Sequence, residues 1–532
     1  MDQQLRDSPA RRFPGRQVAA LLLLVLAASC ATIPEQHKAE RSDAFSRPQE
    51  TALGRAYADS AKYARPGDSG YRLLNNGISA LMTRAAMADL AEKAIDVQYY
   101  IFDNDDVGRF LLERLLAAAE RGVRVRILLD DSELDFEDHF LAQLDAHPNI
   151  EIRLFNPLPG RARWSRALQL VMHLDRLGRR MHNKVFAVDG QAAVLGGRNI
   201  GNRYFEAHAE SNFRDVDVFA TGRIVDEVGR QFDAFWNSEI VTPVAAFARA
   251  PLQPAAEIFA RLKSGDATIG PHAEYLQSSA EYRRRVGHAH DELIWAKGSA
   301  IAEPPVRQAP GQAKPSSEIA RAHAIARQQA QKEMTMEVAY FVPGARGVEL
   351  LSQMVQRGVR VRILTNSLTS NDVPAVHAGY SRYREGLLRG GIDLHEYRAD
   401  APRPERRQQL MHLGRSASAL HAKVVVYDRH LVWIGSANFD PRSRRLNTED
   451  GLMIDSKVLA ERLLATIEQD FSAENSWRLA LEPASGSAQT YLVWNGSSEG
   501  KTVRFTGEPG ASVWQHLKVI FISILPGMEE LL

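Results

Sequence analysis

The stretch Arg121-Gly122-Val123-Arg124-Val125-Arg126-Ile127-Leu128 returns residue for residue at Arg357-Gly358-Val359-Arg360-Val361-Arg362-Ile363-Leu364. A duplicated segment constrains the whole architecture before any single element is assigned. Around each copy the same order of elements recurs: an apolar β-rich run, an apolar-periodic helix, a Val/Ile-rich strand, and a second strand. In the first half these are predicted over Ile95–Phe102, Gly108–Arg121, Val123–Asp130 and His182–Val188. In the second half they fall at Val338–Val342, Val348–Arg357, Val359–Thr365 and His421–Tyr427. Strands alternating with helices imply a mixed or mainly parallel sheet flanked by helices. The fold class is therefore α/β, built twice as two pseudo-symmetric repeats with one active site between them.

The last strand of each set carries the chemistry. The first reads His182-Asn183-Lys184-Val185-Phe186-Ala187-Val188-Asp189 and is followed by Gly196-Gly197-Arg198-Asn199. The second reads His421-Ala422-Lys423-Val424-Val425-Val426-Tyr427-Asp428 and is followed by Gly435-Ser436-Ala437-Asn438. Side chains alternate along a strand, so His and Lys two apart face one side. Phosphodiester exchange through a covalent intermediate needs a nucleophile, an acid for the leaving alcohol, and positive charge around the non-bridging oxygens. Two imidazoles can fill the first two roles near neutral pH. Lys184 and Lys423, with the phosphate-binding candidates Asn199 and Asn438, supply the third, and no metal or other cofactor is required. Asp189 and Asp428 complete the two sets of candidate catalytic residues.

A nucleophilic imidazole also needs its second nitrogen oriented, normally by a carboxylate. Glu449, just before the apolar strand Gly451–Ile454, is the candidate in the second half. Asp215 holds the equivalent place in the first half, before Val216–Ala220, and Glu210 is the competing choice. Asp130-Asp131 could suggest a metal, but carboxylates at a strand end are commonly loop caps and no ligand spacing accompanies them.

These residues resemble the phospholipase D superfamily from about residue 70 onward. Several stretches are similar to the bacterial class C cardiolipin synthase branch: Ile95-Asp96-Val97-Gln98-Tyr99-Tyr100, Arg179-Arg180-Met181-His182-Asn183-Lys184, Gly196-Gly197-Arg198-Asn199-Ile200-Gly201 and Asn438-Phe439-Asp440-Pro441-Arg442-Ser443. The resemblance implies that His182 is the nucleophile, His421 the acid, and a phosphatidyl-His182 the intermediate. The expected substrates are a phospholipid, phosphatidylglycerol or phosphatidylethanolamine, and an alcohol or water acceptor. Water would give phosphatidic acid, and the glycerol head of phosphatidylglycerol would give cardiolipin. Two rival readings are a nuclease with the same site and a non-catalytic lipid-binding lipoprotein.

Composition and the N-terminus bear on partners and location. The 532 residues are 45% hydrophobic and 25% charged, a globular composition long enough for a fused pair. The formal net charge is +1. Setting aside residues 1–29, in which Arg6, Arg11, Arg12 and Arg16 outnumber Asp2 and Asp7, leaves the chain close to neutral, which argues against nucleic-acid binding. A basic stretch ending at Arg16, an apolar run from Val18 to Ala28 and small residues before Cys30 form an export signal. The run is well short of the roughly 20 residues a spanning helix needs. Leu26-Ala27-Ala28-Ser29-Cys30 resembles a bacterial lipoprotein signal, with Ala27 where that pattern usually has Leu. Cys30 is the only cysteine of the chain, so it has no disulfide partner and is the expected lipidation site. Arg11-Arg12-Phe13 has the wrong spacing for twin-arginine export. The expected location is the membrane, as an exported bacterial lipoprotein facing the periplasm or cell surface.

The expected organisation is a signal peptide over 1–30, a polar tether over 31–65, a first repeat over 66–296, a Pro-rich linker or surface excursion over 297–330, and a second repeat with a C-terminal extension over 331–532. Two segments are candidates for contact with a membrane surface. One is residues 161–181, where arginines mix with Trp164, Leu168 and Leu170. The other is the tail from Trp514 to Leu525, too short to span and otherwise expected to pack as a terminal helix.

Overall fold

A computed structural model describes residues 39–158, 161, 179–262, 271–287, 292–306, 317–401, 417–484 and 489–524. The duplicated Arg-Gly marks a helix end in both copies. Gly122 (φ 91°) and Gly358 (φ 88°) take the left-handed conformation that stops a helix without a Cβ penalty. The Val-Arg-Val-Arg-Ile-Leu that follows is a central strand in each half.

In the first repeat the strands are β1 (Ser69–Leu74), β2 (Ala94–Tyr99), β3 (Arg124–Asp130), β4 (Ile150–Phe155), β5 (Val185–Val188), β6 (Ala192–Gly196), β7 (Ser211–Arg214), β8 (Asp217–Thr221) and β9 (Val241–Pro243). Across the sheet they run β9-β4-β3-β2-β5-β6-β8-β1, with β7 outside it. Strands β2, β3 and β4 are mutually parallel and the remaining pairs are antiparallel, so the sheet is mixed. Helices α1 (Gly77–Leu90), α2 (Asp106–Glu120) and α3 (Arg223–Trp236) belong to this repeat.

The second repeat repeats the plan. Its strands are β10 (Ile294–Ala302), β11 (Glu333–Val338), β12 (Arg360–Asn366), β13 (Asp393–Tyr397), β14 (Ala417–Leu420), β15 (Lys423–Tyr427), β16 (Leu431–Gly435) and β17 (Asp450–Asp455), extended by β18 (Ser476–Pro483), β19 (Thr490–Ser498) and β20 (Lys501–Phe505). Its helices include α4 (Glu318–Gln329), α5 (Gly344–Gln356), α6 (Lys457–Asp470) and α7 (Val513–Ile524). Strand β10 joins the two sheets. Ile294, Trp295 and Ala296 pair with β1, and Lys297 to Ala302 pair with β17. A second seam is the parallel pair β7–β14, where Ser211–Arg214 meets Ala417–Leu420.

The core explains why the motif strands read as near-continuous apolar runs. Val185 and Ala187 face a buried cluster shared with Val424, Val426, Ile434 and Leu452 of the other repeat. Phe186 and Val188 point the other way, into the core beneath α1 and α2. A strand buried on both faces has no polar alternation to show.

Four expectations change. Strand β11 begins at Glu333 rather than Val338, because its alternating Met334, Met336 and Val338 pack as core while Ala339 to Val342 leave the sheet toward the site. Strand β5 begins at Val185 rather than His182, because Met181 pairs with Thr448 across the repeats. The linker assigned to 297–330 is largely structure: its first part completes β10 and its last part forms α4, while 307–316 lie outside the described residues. The tether assigned to 31–65 is docked from residue 39 on. Arg126 donates to the Ser42 carbonyl at 2.7 Å, and a helix over Ala52–Ser60 buries Leu53 and Tyr57. The export segment, Cys30 and residues 162–178 lie outside the described residues.

Candidate active site

Each motif histidine is reached through backbone bonds to the opposite repeat. The His182 N–H donates to the Thr448 carbonyl at 2.8 Å, and the His421 N–H donates to the Arg214 carbonyl at 2.7 Å. Each bond places the residue following the acceptor beside the ring. His182 Nδ1 lies 2.9 Å from Glu449 Oε2, and His421 Nδ1 lies 2.6 Å from Asp215 Oδ2. The carboxylates at the two equivalent positions therefore serve the histidine of the other half, and Glu210 serves neither.

Gly197 makes room for the shorter acid, since a Cβ there would overlap the Asp215 carboxylate. Its counterpart Ser436 instead donates to Glu449 Oε2 at 2.5 Å, and Ser443 donates to Glu449 Oε1 at 2.7 Å. The motif histidines and lysines are buried: His182 9%, Lys184 1%, His421 5% and Lys423 1% exposed. Both lysine ammonium groups donate to the carbonyl of their own motif histidine. Lys423 Nζ also lies 3.0 Å from His421 Nδ1.

Asn199 accepts from the Ile101 N–H at 3.3 Å, which fixes it to the end of β2. The Asn438 side-chain oxygen is buried without a partner, and its amide nitrogen is the group able to donate to a phosphate oxygen.

Asp189 and Asp428 are corrected from catalytic to structural residues. They stand at the far end of β5 and β15 from the histidines, in left-handed backbone at φ 53° and 48°. Asp189 accepts the N–H groups of Glu92, Lys93 and Ala94, and Asp428 accepts those of Gln331, Lys332 and Glu333. Each ties its hairpin to the start of the neighbouring strand. Asp130 and Asp131 are likewise structural: Asp130 accepts the Met181 N–H and pairs with Arg180, which holds the residues leading into His182, and Asp131 pairs with Arg161.

Burial sets the electrostatics. It holds the His182 imidazole down at about 4 against the opposing pull of Glu449. Burial alone would lift Glu449, but attraction to His182 and Lys184 and the bonds from His182 and Ser436 hold it at about 2. Burial, with the nearby Lys423, lowers Lys184 to about 8 despite Glu449 and Asp450. Burial lifts Asp450, which faces the Lys184 N–H, to about 7. Burial and the charges of Lys423, Lys184 and His182 push His421 well down, and burial raises its partner Asp215. The result is a neutral imidazole beside a firmly ionised carboxylate, another sharing a short bond with a carboxyl, and two buried ammonium groups.

Sequence reasoning missed the aromatic walls. Tyr100 packs edge-on to His182 at 4.9 Å, Tyr204 edge-on to His421 at 5.2 Å, and Phe213 against His421 at 4.9 Å. Tyr340 also approaches His421 and donates to Asp372. Ser436, Ser443 and Asp450 were missed too. Nothing in spacing marks these residues, although the turn Asp440-Pro441-Arg442-Ser443 sits within a stretch already singled out.

Two repeats meeting through crossed histidine–carboxylate pairs, with buried lysines beside them, define a duplicated α/β enzyme of the phosphodiester-transfer type. The family described as cardiolipin synthase, PLD-like domain, matches residues 85–236 and 325–472, and the chain belongs to it. It is 38% identical over 467 residues to cardiolipin synthase C of Escherichia coli (strain K12), covering 87% of this chain and 96% of that protein. Cardiolipin synthase B of the same organism is 27% identical over 393 residues, covering 74% of this chain and 78% of that protein. Among solved structures, the phosphatidylserine synthase of Haemophilus influenzae Rd KW20 superposes with a TM-score of 0.52 at 15% identity, covering 80% of this chain and 91% of that one, and shares the fold.

Two outcomes follow from the geometry. The site works with His182 neutral, hence above about pH 4, and with Lys184 charged, hence below about pH 8. The kcat/KM for a chainless phosphodiester such as bis(p-nitrophenyl) phosphate therefore rises through the first value and falls through the second. A profile flat from pH 4 to 9 would contradict the assignment. Asp189→Ala exposes three backbone donors to loss of their acceptor and costs about 2–4 kcal/mol of stability. Its thermal midpoint falls, whereas turnover by the folded fraction stays within about threefold of wild type, on the transition-state scale of about 1.4 kcal/mol per tenfold.

Proposed function

We propose that this protein performs metal-independent phosphatidyl transfer on phospholipids through a phosphohistidine on His182. The observation that carries the reading is the crossed pairing, which leaves one nitrogen of each imidazole turned away from its carboxylate. His182 Nε2 attacks phosphorus, the bond to the leaving alcohol breaks, and the His421 proton passes to that alcohol's oxygen. His421, now neutral, takes the proton of the acceptor hydroxyl as its oxygen attacks phosphorus and the P–N bond to His182 breaks. Lys184, Lys423 and Asn438 hold the non-bridging oxygens. The anionic phosphodiester is what charges His421: its arrival offsets the neighbouring ammonium groups that keep this imidazole neutral in the empty site. The likeness to cardiolipin synthases favours phosphatidylglycerol as donor and a second phosphatidylglycerol as acceptor, giving cardiolipin and glycerol. With water as acceptor the product is phosphatidic acid.

A membrane surface is part of this reading. Five large apolar residues of α7 stand in solvent: Val513 76%, Trp514 74%, Leu517 49%, Ile520 54% and Phe521 66% exposed. The helix is not loose. Just before it, Glu508 is clamped by Arg384 and by His377, a residue of the helix Pro374–Ser381 against which α7 packs. That helix follows the loop carrying Asp372, the partner of Tyr340 beside the site. An apolar helix held beside the site entrance suits a bilayer that delivers lipid. Among the described residues no helix is long and apolar enough to cross a membrane. Attachment through an exported, lipidated Cys30 accords with this arrangement.

Lipid mass spectrometry after incubation with phosphatidylglycerol vesicles, with and without added glycerol, tests the reaction. Cardiolipin or phosphatidic acid is expected, and added glycerol lowers the cardiolipin yield. His182→Ala and His421→Ala each lose at least about 10³-fold in turnover, as removal of a nucleophile or its acid–base partner does. Unaltered lipid alongside nicked plasmid DNA would instead identify a nuclease. Replacing Trp514 and Phe521 with Ser removes two side chains worth about 1.5–3 kcal/mol each when buried in lipid, so vesicle affinity falls at least about tenfold. Vesicle flotation unchanged in that variant would reject α7 as the contact.

A further inference from the structure

Besides Gly197 and Ser436, the two otherwise parallel motifs differ at the residue that follows. In the first, Arg198 is fully buried and donates to the carbonyls of Leu74, Tyr204 and Asp215. The corresponding residue of the second repeat is Ala437, and it lines a cavity of about 250 Å³ between α4, α5 and the outer face of β11. The packing differs in the same sense. Ten of the fourteen residues of α1 are buried, against three of the twelve of α4. The second repeat has kept the framework and left out the filling.

The cavity is apolar and elongated. Ile319, Met334, Met336, Phe341 and Leu351 line it, and it follows α4 from Ser317 to Arg327, which at 1.5 Å per residue is about 15 Å. Polar side chains, among them His323, Tyr427, Asn438, Ser443 and Arg444, interrupt this lining. His323 is 4% exposed, its Nδ1 is 3.0 Å from the Tyr427 hydroxyl, and its Nε2 is buried without a partner. Burial keeps that imidazole neutral, with a pKa of about 3. A buried polar atom without a partner costs about 1–3 kcal/mol, which a ligand's oxygen or hydroxyl would relieve.

The two ends carry opposite charge. Glu303 and Glu449 line the Ser317 end. At the other end Arg327, one helical turn beyond His323 on the same face, has the cations Arg346 and Arg357 as charged neighbours. Arg346 also pairs with Glu349, but that pair is at the surface, where it contributes little.

We propose that this cavity binds one acyl chain of an anionic amphiphile, with its head on Arg327 and Arg346, its ester or carboxyl oxygen at His323, and its chain along α4. None of His182, Lys184, His421 and Lys423 lines the cavity, whereas Asn438, which holds a non-bridging oxygen in the proposed transfer, does. Glu449 does line it, so the occupant touches the carboxylate that orients His182. The site goes beyond the transfer reaction and does not depend on it.

Calorimetric titration of the full chain with dodecanoate below its micellar concentration tests the proposal. One saturable site per chain is expected, with dodecyl maltoside, which has the same chain and an uncharged head, binding at least tenfold more weakly. Arg327→Glu and the filling variant Leu350→Trp, at a further lining residue on α5, should each weaken dodecanoate at least tenfold, the first through the rim and the second through the chain. Thermal unfolding verifies that each variant is folded, and Arg327 is peripheral enough that its variant stands if the filled one does not. Displacement of dodecanoate by lysophosphatidylglycerol assigns the site to a phospholipid, and its failure assigns it to a free fatty acid. Absence of saturable binding, or equal affinity in wild type and folded Arg327→Glu, overturns the proposal. Because calorimetry needs no turnover, protein that binds dodecanoate yet makes no lipid product would overturn the functional reading and leave the cavity assignment in place.

Discussion

The crossed bonds from His182 to Glu449 and from His421 to Asp215 are the constraint on which the remaining structure depends. Neither repeat contains a complete histidine–carboxylate pair, so neither can be a site alone. The backbone enforces the exchange before the side chains do, because each histidine N–H is satisfied by a carbonyl of the opposite repeat. The shared strand β10, the β7–β14 pair and the apolar seam of Val185, Leu195, Val424 and Ile434 fix the distance over which these bonds must hold. A shift of one residue at that seam would turn every alternating side chain to the wrong face and break both pairs together.

Placing two ammonium groups at 1% exposure is costly unless charge and hydrogen bonds compensate. Glu449, Asp215 and Asp450 supply the charge, and the histidine carbonyls supply acceptors. Compensation is nevertheless partial, since burial still pulls both lysines below the usual ammonium range. A bound phosphodiester adds the missing negative charge at the point where the two halves converge. Substrate binding and relief of this electrostatic tension are then the same event, which is the form of preorganisation that favours a developing oxyanion.

The duplication was legible because Arg-Gly followed by alternating apolar residues encodes a helix stop and a strand in local terms. The histidines, lysines and carboxylates were legible as a set because their order repeats. Their pairing was not, since a repeat shows which positions correspond and gives no information on which copy faces which. Asp189 and Asp428 were misread for a related reason: a conserved-looking spacing inside each motif reflects a hairpin closed by three N–H bonds as readily as it reflects chemistry. Composition misled over 297–330, where Pro-rich flanks hid the strand that joins the sheets. The walls Tyr100, Tyr204 and Phe213 come from three separate segments and converge only in the fold.

The departures from symmetry bear on how two equivalent histidines divide the work. Glu449 accepts from Ser436 and Ser443 as well as from His182, a network that keeps it ionised and fixes the ring it holds. A neutral imidazole oriented in this way is suited to the attack proposed for His182, and the positive charge it would acquire on bonding to phosphorus would be met by a full carboxylate. Asp215 has no such serine. Gly197 stands where Ser436 would, the acid is raised by burial, and its bond to His421 is shorter at 2.6 Å. The opposite shifts, His421 down and Asp215 up, favour exchange of a proton along this bond, which suits the acid and base role proposed for His421. Strong fixation on one side and easier proton exchange on the other accord with the separate tasks proposed for the two histidines, and Gly197 in place of a serine is one difference between the two sides.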